Sequence, residues 1–209
     1  MVLEVISGPM YSGKTEELLR RIRREKIAKK RVILFKPKID NRYKLKTIST
    51  HYGSVLEAIP VSNTAEMVSY LTSLEQKPQI IGIDEIQFFD EEIINFCLKH
   101  KDEVDIIASS LNLDFRGKPF TFKDSKRHVG ELIVYAQNTS LNAICTYMKN
   151  EEICGGNAFN TQRLINGQPA PHDSPLILVG SVEAYEARCP KHHFVPRKEI
   201  LQKVTAQNV

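Results

Sequence analysis

The sequence predicts an α/β protein in which a mostly parallel sheet is flanked by helices. Three observations predict this fold class: apolar runs alternate with helical segments in the first half of the 209 residues, a glycine-rich turn joins the first run to the first helix, and a carboxylate pair follows a later run. Such alternation implies right-handed βαβ units. Ligand chemistry is then expected at the carboxyl ends of the strands.

The order of the elements follows from apolar runs, turn residues and caps. Strands are predicted at residues 2–6, 32–35, 55–59, 79–83 and 104–108. The first helix follows the glycine turn, the second begins at the Asn63 cap, with Glu66 completing a capping box, and the third follows Asp90. Residues 36–52 lack periodicity and predict a long loop. Beyond residue 141 only 176–179 predicts a buried strand.

The glycine turn reads GPMYSGKT at residues 8–15, a complete G-x4-G-K-[ST] phosphate-binding motif between a strand and a helix. The two glycines let the backbone approach phosphate oxygens, the lysine is expected to reach the β- and γ-phosphates, and the threonine hydroxyl is a candidate Mg2+ ligand. A chance glycine turn is the alternative. The motif predicts nucleoside triphosphate binding by Gly8, Pro9, Met10, Tyr11, Ser12, Gly13, Lys14 and Thr15.

A carboxylate pair, Asp84 and Glu85, ends the strand predicted at residues 79–83. Asp84 has the position at which phosphate-loop proteins hold Mg2+. Glu85 is expected on the other side of the strand end, where it can accept a proton from an attacking hydroxyl or water. A merely solvated Glu85 is the alternative. Phe88 and Phe89 favour a site because they can form a stacking wall for a planar base, although at least one of them is expected in the core.

Charge and composition limit the classes of partner. The net charge of +4 comes largely from residues 20–31, which continue the first helix. Glu16 and Glu17 precede Arg20 and Arg21 by four residues, so a solvated helix face is favoured over a nucleic-acid-binding patch. No apolar stretch approaches the roughly 20 residues that cross a bilayer, and no signal-peptide pattern is present. The expected location is cytoplasmic.

The second half of the chain contains candidate metal ligands and too little apolar content for a strong core. The candidates form two pairs, Cys145 with Cys154 and Cys189 with His192. The second pair has ordinary zinc spacing, whereas the first, C-x8-C, is wider than usual. Four such ligands predict a closed structural Zn2+ site, with His193 as the alternative fourth ligand and unliganded side chains as the alternative to a metal site. Cys97 is predicted to be a buried small hydrophobe.

Taken together, the motifs resemble those of the zinc-containing, cytosolic-type thymidine kinases along nearly the whole chain. The similar segments are GPMYSGKT, KPKIDNRY, IDEIQFF, LDFRGKPF, TQRLINGQPA and DSPLILVGSVEAYEARC, in this order. The resemblance implies a P-loop NTPase (RecA-like) parallel sheet flanked by helices. It also implies a small zinc-binding domain with a nucleoside-covering lasso loop. The implied boundaries are 1–140 for the ATP-binding domain, 141–195 for the zinc and lasso domain, and 196–209 for a tail.

The resemblance also implies transfer of the γ-phosphoryl group of ATP to the 5′-hydroxyl of thymidine or deoxyuridine, in pyrimidine deoxynucleotide salvage. By this resemblance Glu85 is the general base. The residues outside the phosphate loop that it implies as contacts of ATP and Mg2+ are Asp40, Arg42, Asp84 and Gln87. The implied nucleoside pocket consists of Phe88, Phe115, Phe120, Thr161, Val179, Gly180, Ser181, Val182 and Tyr185. A structural Zn2+ on Cys145, Cys154, Cys189 and His192, a homotetramer and feedback by thymidine triphosphate are implied too, with neither nucleic acid nor membrane as partner.

One departure from the family lies between the first two cysteines, where C-x2-C is usual. Here residues 146–153 separate Cys145 from Cys154, and Met148 stands where the second cysteine would otherwise fall. We interpret this segment as an extended zinc knuckle. Two other functions stay open: a nucleic-acid-linked P-loop ATPase that uses residues 20–31 and the knuckle as contact surfaces, and a nucleotide-switched binding protein with negligible turnover.

Overall fold

The computed structural model describes residues 1–38, 47–49, 55–176 and 183–197, and these form two compact units. The first unit comprises Met1–Ser7, Gly13–Asn112 and Pro119–Leu141. The second comprises Gly8–Ser12, Leu113–Lys118 and the described part of Asn142–Val209. Among the described residues, no helix has the length and apolar character needed to cross a membrane.

A parallel six-stranded sheet with flanking helices forms the first unit, as the sequence predicts. In chain order the elements are β1 (Leu3–Gly8), α1 (Lys14–Ile27), β2 (Val32–Pro37), β3 (Thr47–Ser49), β4 (Val55–Glu57), β5 (Ile59–Val61), α2 (Thr64–Thr72), β6 (Ile80–Ile83), a 3-10 helix (Ile86–Phe88), α3 (Glu92–His100), β7 (Asp105–Leu111), α4 (Val129–Val134) and β8 (Gln137–Ser140). The sheet order is β5-β2-β6-β7-β1-β8. β3 and β4 form a separate antiparallel pair.

Helix α1 shows why its sequence folds as predicted. Its buried side chains are Lys14, Leu18, Leu19 and Ile22, which include the apolar face packed on the sheet. On the outer face the Glu17 carboxylate accepts hydrogen bonds from Arg20 at 2.6 Å and from Arg21 at 2.8 Å. The hydrogen bond from Arg20 is the main reason that the pKa of Glu17 falls to about 2. The basic run therefore begins as a salt-bridged helix face.

Three local predictions need correction. The strand predicted at 55–59 is divided, because Ala58 separates β4 from β5, and β3 lies within the predicted loop 36–52. At α2, Asn63 Oδ1 accepts the Glu66 N–H at 2.8 Å, which confirms the cap. The Glu66 carboxylate, however, accepts the Ser62 N–H at 2.7 Å, so the return bond reaches one residue before the cap.

The sequence does not predict α4 or β8. Strand β8 reads QNTS, has no buried residue and lies at the edge of the sheet, so it lacks the apolar run that marks a central strand. Helix α4 has only six residues, too few for a helical period to be recognised. Cys97 is fully buried in α3, and burial raises the pKa of its thiol to about 12. Its predicted role as a small hydrophobe is confirmed.

Short antiparallel strands make up the secondary structure described between residues 142 and 197. They are β9 (Ala143–Ile144), β10 (Met148–Lys149), β11 (Glu152–Ile153), β12 (Asn157–Ala158), β13 (Asn160–Ile165), β14 (Gln168–Pro169) and β15 (Glu183–Arg188). Strand β13 pairs with both β14 and β15. The strand predicted at 176–179 is wrong at Leu176, which belongs to no strand, and 177–179 lie outside the described residues.

Candidate nucleotide site and metal site

The phosphate-loop motif forms a tight turn that leads into α1. Tyr11 (φ 64°) and Gly13 (φ 81°) adopt left-handed backbone conformations, and Ser12 Oγ donates to the Pro9 carbonyl at 2.8 Å. Lys14, the first residue of α1, is only 7% exposed. The first N–H groups of a helix have no intrahelical acceptors and carry the positive end of its dipole. The start of α1 can therefore bind an anion.

Asp84 directly follows strand β6 and lies beside the first turn of α1. The neighbouring strand β7 pairs Ala108 with Ile83, so Ser109 lies beside Asp84 at the carboxyl ends of the two strands. Thr15 Oγ1 lies 3.2 Å from Asp84 Oδ1, and Ser109 Oγ donates to the same carboxylate oxygen. Two residues predicted to hold Mg2+ therefore meet, and their hydroxyl and carboxylate oxygens are the donors that Mg2+ prefers.

Glu85 directly follows Asp84, and at Glu85 the chain turns away from the direction of β6. The backbone of Glu85 is left-handed, with φ and ψ both 49°. The Glu85 N–H donates to Ser109 Oγ at 3.1 Å, and Gln87 Nε2 donates to Glu85 Oε2. Gln87, implied by the resemblance to contact ATP, is 1% exposed. Its side chain also accepts hydrogen bonds from β7.

The adjacent phenylalanines separate into a core residue and a partly exposed one. Phe89 is 1% exposed and belongs to the main core, as expected for at least one of the pair. Phe88 contacts Phe120 edge to face, with ring centroids 5.8 Å apart and planes at 88°. This is a favourable arrangement for two aromatic rings. Two of the residues predicted to bind the nucleoside are thus in contact.

Further predicted site residues meet in the second unit. The Met10 N–H of the phosphate loop donates to Thr161 Oγ1 of β13 at 3.0 Å, and Tyr185 of β15 lies opposite Arg163 of β13. The other predicted residues, Asp40, Arg42, Val179, Gly180, Ser181 and Val182, lie outside the described residues.

The Phe115 ring contacts two arginines that the sequence does not identify as part of the site. The guanidinium carbons of Arg116 and Arg163 are 4.6 and 5.2 Å from the Phe115 ring centroid. Arg116 donates to the carbonyls of His172 and Ser174, at 2.7 and 2.6 Å. Arg163, which is fully buried, donates to the Pro175 carbonyl at 2.5 Å. Together they hold residues 172–175, which precede the stretch 179–182 to which the resemblance assigns recognition of the base.

The four predicted zinc ligands converge in the second unit. One ligand atom from each of Cys145, Cys154, Cys189 and His192 lies within 4.8 Å of all the others. Three of the separations are 3.4 Å between Cys189 Sγ and His192 Nδ1, 3.7 Å between Cys145 Sγ and His192 Nδ1, and 4.0 Å between Cys154 Sγ and Cys189 Sγ. Tetrahedral bonds of about 2.0–2.3 Å around one Zn2+ give donor separations of this size. The set therefore fits a structural zinc ion.

Burial and hydrogen bonds act differently on two of these thiols. Burial raises the pKa of Cys145. For Cys189 burial also acts to raise the pKa, but hydrogen bonds with the backbone of Lys191 and with the Cys145 side chain outweigh it, and the pKa is lowered. Zinc binds cysteine as thiolate, so the arrangement around Cys189 favours the form that binds the metal.

A hairpin explains the wide spacing of the first cysteine pair. Strands β10 and β11 pair Met148 with Ile153, and the Cys154 N–H continues the ladder by donating to the Tyr147 carbonyl at 2.8 Å. The Gly155 N–H donates to the Cys145 carbonyl at 3.1 Å. The ladder therefore returns Cys154 to the side of Cys145, as the interpretation of an extended knuckle requires.

His192 and His193 provide a matched pair of tests for the fourth ligand. His193 Nε2 lies 2.9 Å from the Phe115 carbonyl, whereas His192 Nδ1 faces two thiols. We expect His192→Asn to weaken zinc binding by more than the roughly 10–100-fold that loss of a hydrogen bond to a ligand produces. His193→Asn should retain the zinc. Zinc per chain, measured by atomic emission after dialysis against a chelator, checks this, and the reverse result would make His193 the ligand.

The fold and site define a class of protein: a phosphate loop, followed by a carboxylate at the end of a neighbouring parallel strand, characterises P-loop nucleotide-binding proteins. A family model described as thymidine kinase matches residues 1–193. The chain belongs to the thymidine kinase family. It is therefore a kinase that acts on a nucleoside in nucleotide salvage, and the match does not support the nucleic-acid-linked ATPase.

Proposed function

We propose that the protein transfers the γ-phosphoryl group of ATP to the 5′-hydroxyl of thymidine or deoxyuridine, which yields ADP and the nucleoside monophosphate. One observation carries the proposal. In a member of this family, Thr15 Oγ1 and Asp84 Oδ1 lie 3.2 Å apart, and Glu85 directly follows Asp84 at the carboxyl end of β6. The oxygens proposed to hold Mg2+ and the proposed proton acceptor are thus adjacent, which supports a site for phosphoryl transfer.

The phosphate loop and Asp84 have binding roles in this proposal. Backbone N–H groups of the loop and the Lys14 ammonium bind the triphosphate, while Thr15 and Asp84 would hold Mg2+. The bound ion would neutralise charge on the β- and γ-phosphate oxygens. Asp40 and Arg42 are proposed to lie near the same metal and triphosphate, as the resemblance implies.

Glu85 is the proposed general base. As the nucleoside O5′ forms a bond to the γ-phosphorus, the bond between that phosphorus and the β–γ bridging oxygen breaks, and ADP leaves. The hydroxyl proton passes to the Glu85 carboxylate. A positioned carboxylate of this kind contributes about 10²–10⁴-fold to a rate. The left-handed backbone turns Glu85 away from the β6 direction, which supports a role distinct from that of Asp84.

The nucleoside is proposed to bind through stacking and main-chain hydrogen bonds. The Phe88–Phe120 pair supports a stacking wall, and Phe115, Thr161 and Tyr185 are the other proposed lining side chains. Main-chain groups of Val179, Gly180, Ser181 and Val182 are proposed to bind the pyrimidine edge. A main-chain loop suits this edge because N–H and C=O groups match an uncharged base that carries both donors and acceptors.

The remaining proposals concern organisation and regulation. We propose an ATP-binding domain at 1–140, a zinc and lasso domain at 141–195 and a tail at 196–209. A homotetramer, feedback by thymidine triphosphate, a cytoplasmic location and the absence of nucleic-acid and membrane partners complete the proposal. Size-exclusion chromatography with light scattering tests the tetramer, and inhibition by thymidine triphosphate tests the feedback.

A radiochemical assay tests the proposed reaction. Purified protein with Mg-ATP and labelled thymidine should form thymidine monophosphate, with one ADP for each product molecule. 5′-Deoxythymidine is the matched control, because it keeps the base and lacks the hydroxyl that accepts the phosphoryl group. Equal ADP release with both compounds would contradict the proposal. ATP hydrolysis stimulated by DNA and independent of thymidine would support the nucleic-acid-linked ATPase instead.

A further inference from the structure

Gln87 links the carboxylate of Glu85 to the end of strand β7. Its Nε2 donates to Glu85 Oε2. Its Oε1 accepts two hydrogen bonds, one from Ser110 Oγ and one from the Leu111 N–H, both at 3.1 Å. Gln87 is 1% exposed, and Ser110 is fully buried. The buried Gln87 amide therefore connects β7, a central strand of the sheet, to the Glu85 carboxylate.

The orientation of this amide is determined by its neighbours. The Leu111 N–H can only donate, so the atom facing it must be the oxygen Oε1. The nitrogen Nε2 then faces Glu85, whose ionised carboxylate can only accept. The opposite orientation would place two donors together at one end and two acceptors at the other. The amide therefore has one orientation that satisfies both ends.

The backbone of Glu85 is held by the residue preceding Ser110. Ser109 Oγ accepts the Glu85 N–H at 3.1 Å and donates to Asp84. Glu85 adopts a left-handed conformation, which is unfavourable for a residue with a side chain and persists where neighbours enforce it. The short 3-10 helix that follows brings Gln87 back towards Glu85. Consecutive serines of β7 thus fix Glu85 at two points, the first through its main chain and the second through Gln87.

We propose that Gln87 is a positioning residue that aims the Glu85 carboxylate at the acceptor hydroxyl. The proposal rests on the proposed role of Glu85 as general base, and it replaces the ATP contact that the resemblance implies for Gln87. A neutral amide suits this task, because a lysine or arginine partner would stabilise the anionic carboxylate and oppose its protonation.

The variant Gln87→Glu separates positioning from support of the fold. A glutamate has the same shape and still accepts from Ser110 and Leu111, but two carboxyl groups then face each other, so the neutral amide donor to Glu85 is replaced by charge repulsion or by a proton shared between the pair. We expect kcat for thymidine phosphorylation to fall about 10–100-fold, with KM for ATP and thymidine changed by less than about threefold. Gln137→Glu, the same substitution on the exposed edge strand β8, is the matched control and should keep wild-type kcat.

A double-mutant cycle then tests whether Gln87 acts through Glu85. If it does, Gln87→Glu should lower kcat no further once Glu85→Gln is present, because the group it positions no longer accepts a proton. Losses that multiply in the double variant, or wild-type kcat in Gln87→Glu, would overturn the proposal. A raised KM with unchanged kcat would instead make Gln87 a substrate contact and would also overturn it.

A second variant keeps the proposal testable if Gln87→Glu does not fold. Gln87→Met is neutral and similar in length, and it should show the same selective loss of kcat. If the wild-type protein does not phosphorylate thymidine, the proposed function fails. A crystal structure of Gln87→Met then tests positioning alone: a changed Glu85 rotamer supports the proposal, and an unchanged one refutes it.

Discussion

Replacing Glu85 with glutamine should lower kcat for thymidine phosphorylation by about 10²–10⁴-fold, the usual contribution of a general base. Glutamine has the same shape, and its side-chain oxygen can still accept the hydrogen bond from Gln87. The substitution therefore removes proton acceptance and little else. Binding of Mg-ATP, measured by calorimetry, should stay within about threefold of wild type, because phosphate-loop contacts do not involve Glu85.

A neighbouring carboxylate provides the control for this experiment. Glu92 lies in the first turn of α3, where its Oε2 accepts a hydrogen bond from Asn95 at 3.0 Å. Glu92→Gln makes the same chemical change on an exposed helix and should leave kcat unchanged. Full turnover by Glu85→Gln would remove this residue from the chemistry. A parallel loss in ATP affinity would point to a role in nucleotide binding.

Loss of one zinc ligand should unfold much of the second unit. Among the described residues, the buried cluster around the ligands consists of Ala143, Cys145, Ala158, Ala187 and Cys189, with the partly buried Tyr147 packed against it, so three of its five buried members are alanines. Alanine buries little apolar area, and the metal must supply much of the stability. For Cys189→Ser we expect a loss of several kcal/mol, since zinc binding contributes about 10–16 kcal/mol in small zinc domains.

Metal analysis and hydrogen exchange check this prediction together. The variant should lose its zinc, and backbone amides of β9 to β15 should exchange faster, whereas those of β6 and β7 serve as an internal reference. Cys97→Ala is the control, because it removes a fully buried thiol from α3 without touching a ligand. It should keep its zinc. Retained zinc and protection in Cys189→Ser would refute the structural role of the metal.

The sequence predicts the parts of the fold whose patterns are local. The phosphate loop, the Asn63 cap and the carboxylate pair at the end of β6 are each contained in a few consecutive residues, and the structure has them where the sequence places them. The convergence of Cys145, Cys154, Cys189 and His192 is also predicted, from the zinc-like spacing of the second pair and from the family resemblance. The edge strand β8 has no such signal, since a polar edge strand resembles a loop.

The support around the site depends on contacts between distant residues. Ser109 and Ser110 read as the polar end of an apolar strand, and only the register of β6 with β7 places the first beside Asp84. Arg163 lies where the sequence predicts no strand, yet it is fully buried in β13 against Phe115 and the Pro175 carbonyl. Polar residues at the end of an apolar run, or within a short strand, are therefore the sequence features that could identify side chains supporting the site.

The β10–β11 hairpin gives the protein a place where its length can change. A hairpin returns its two ends to the same separation whatever the number of paired residues, so the distance between Cys145 and Cys154 does not depend on how far the ladder extends. Its two-residue turn, Asn150 and Glu151, is left-handed at both positions and exposed. Evolution can therefore lengthen or shorten this arm without rebuilding the metal centre, and an engineer can attach a fluorophore or epitope at its tip.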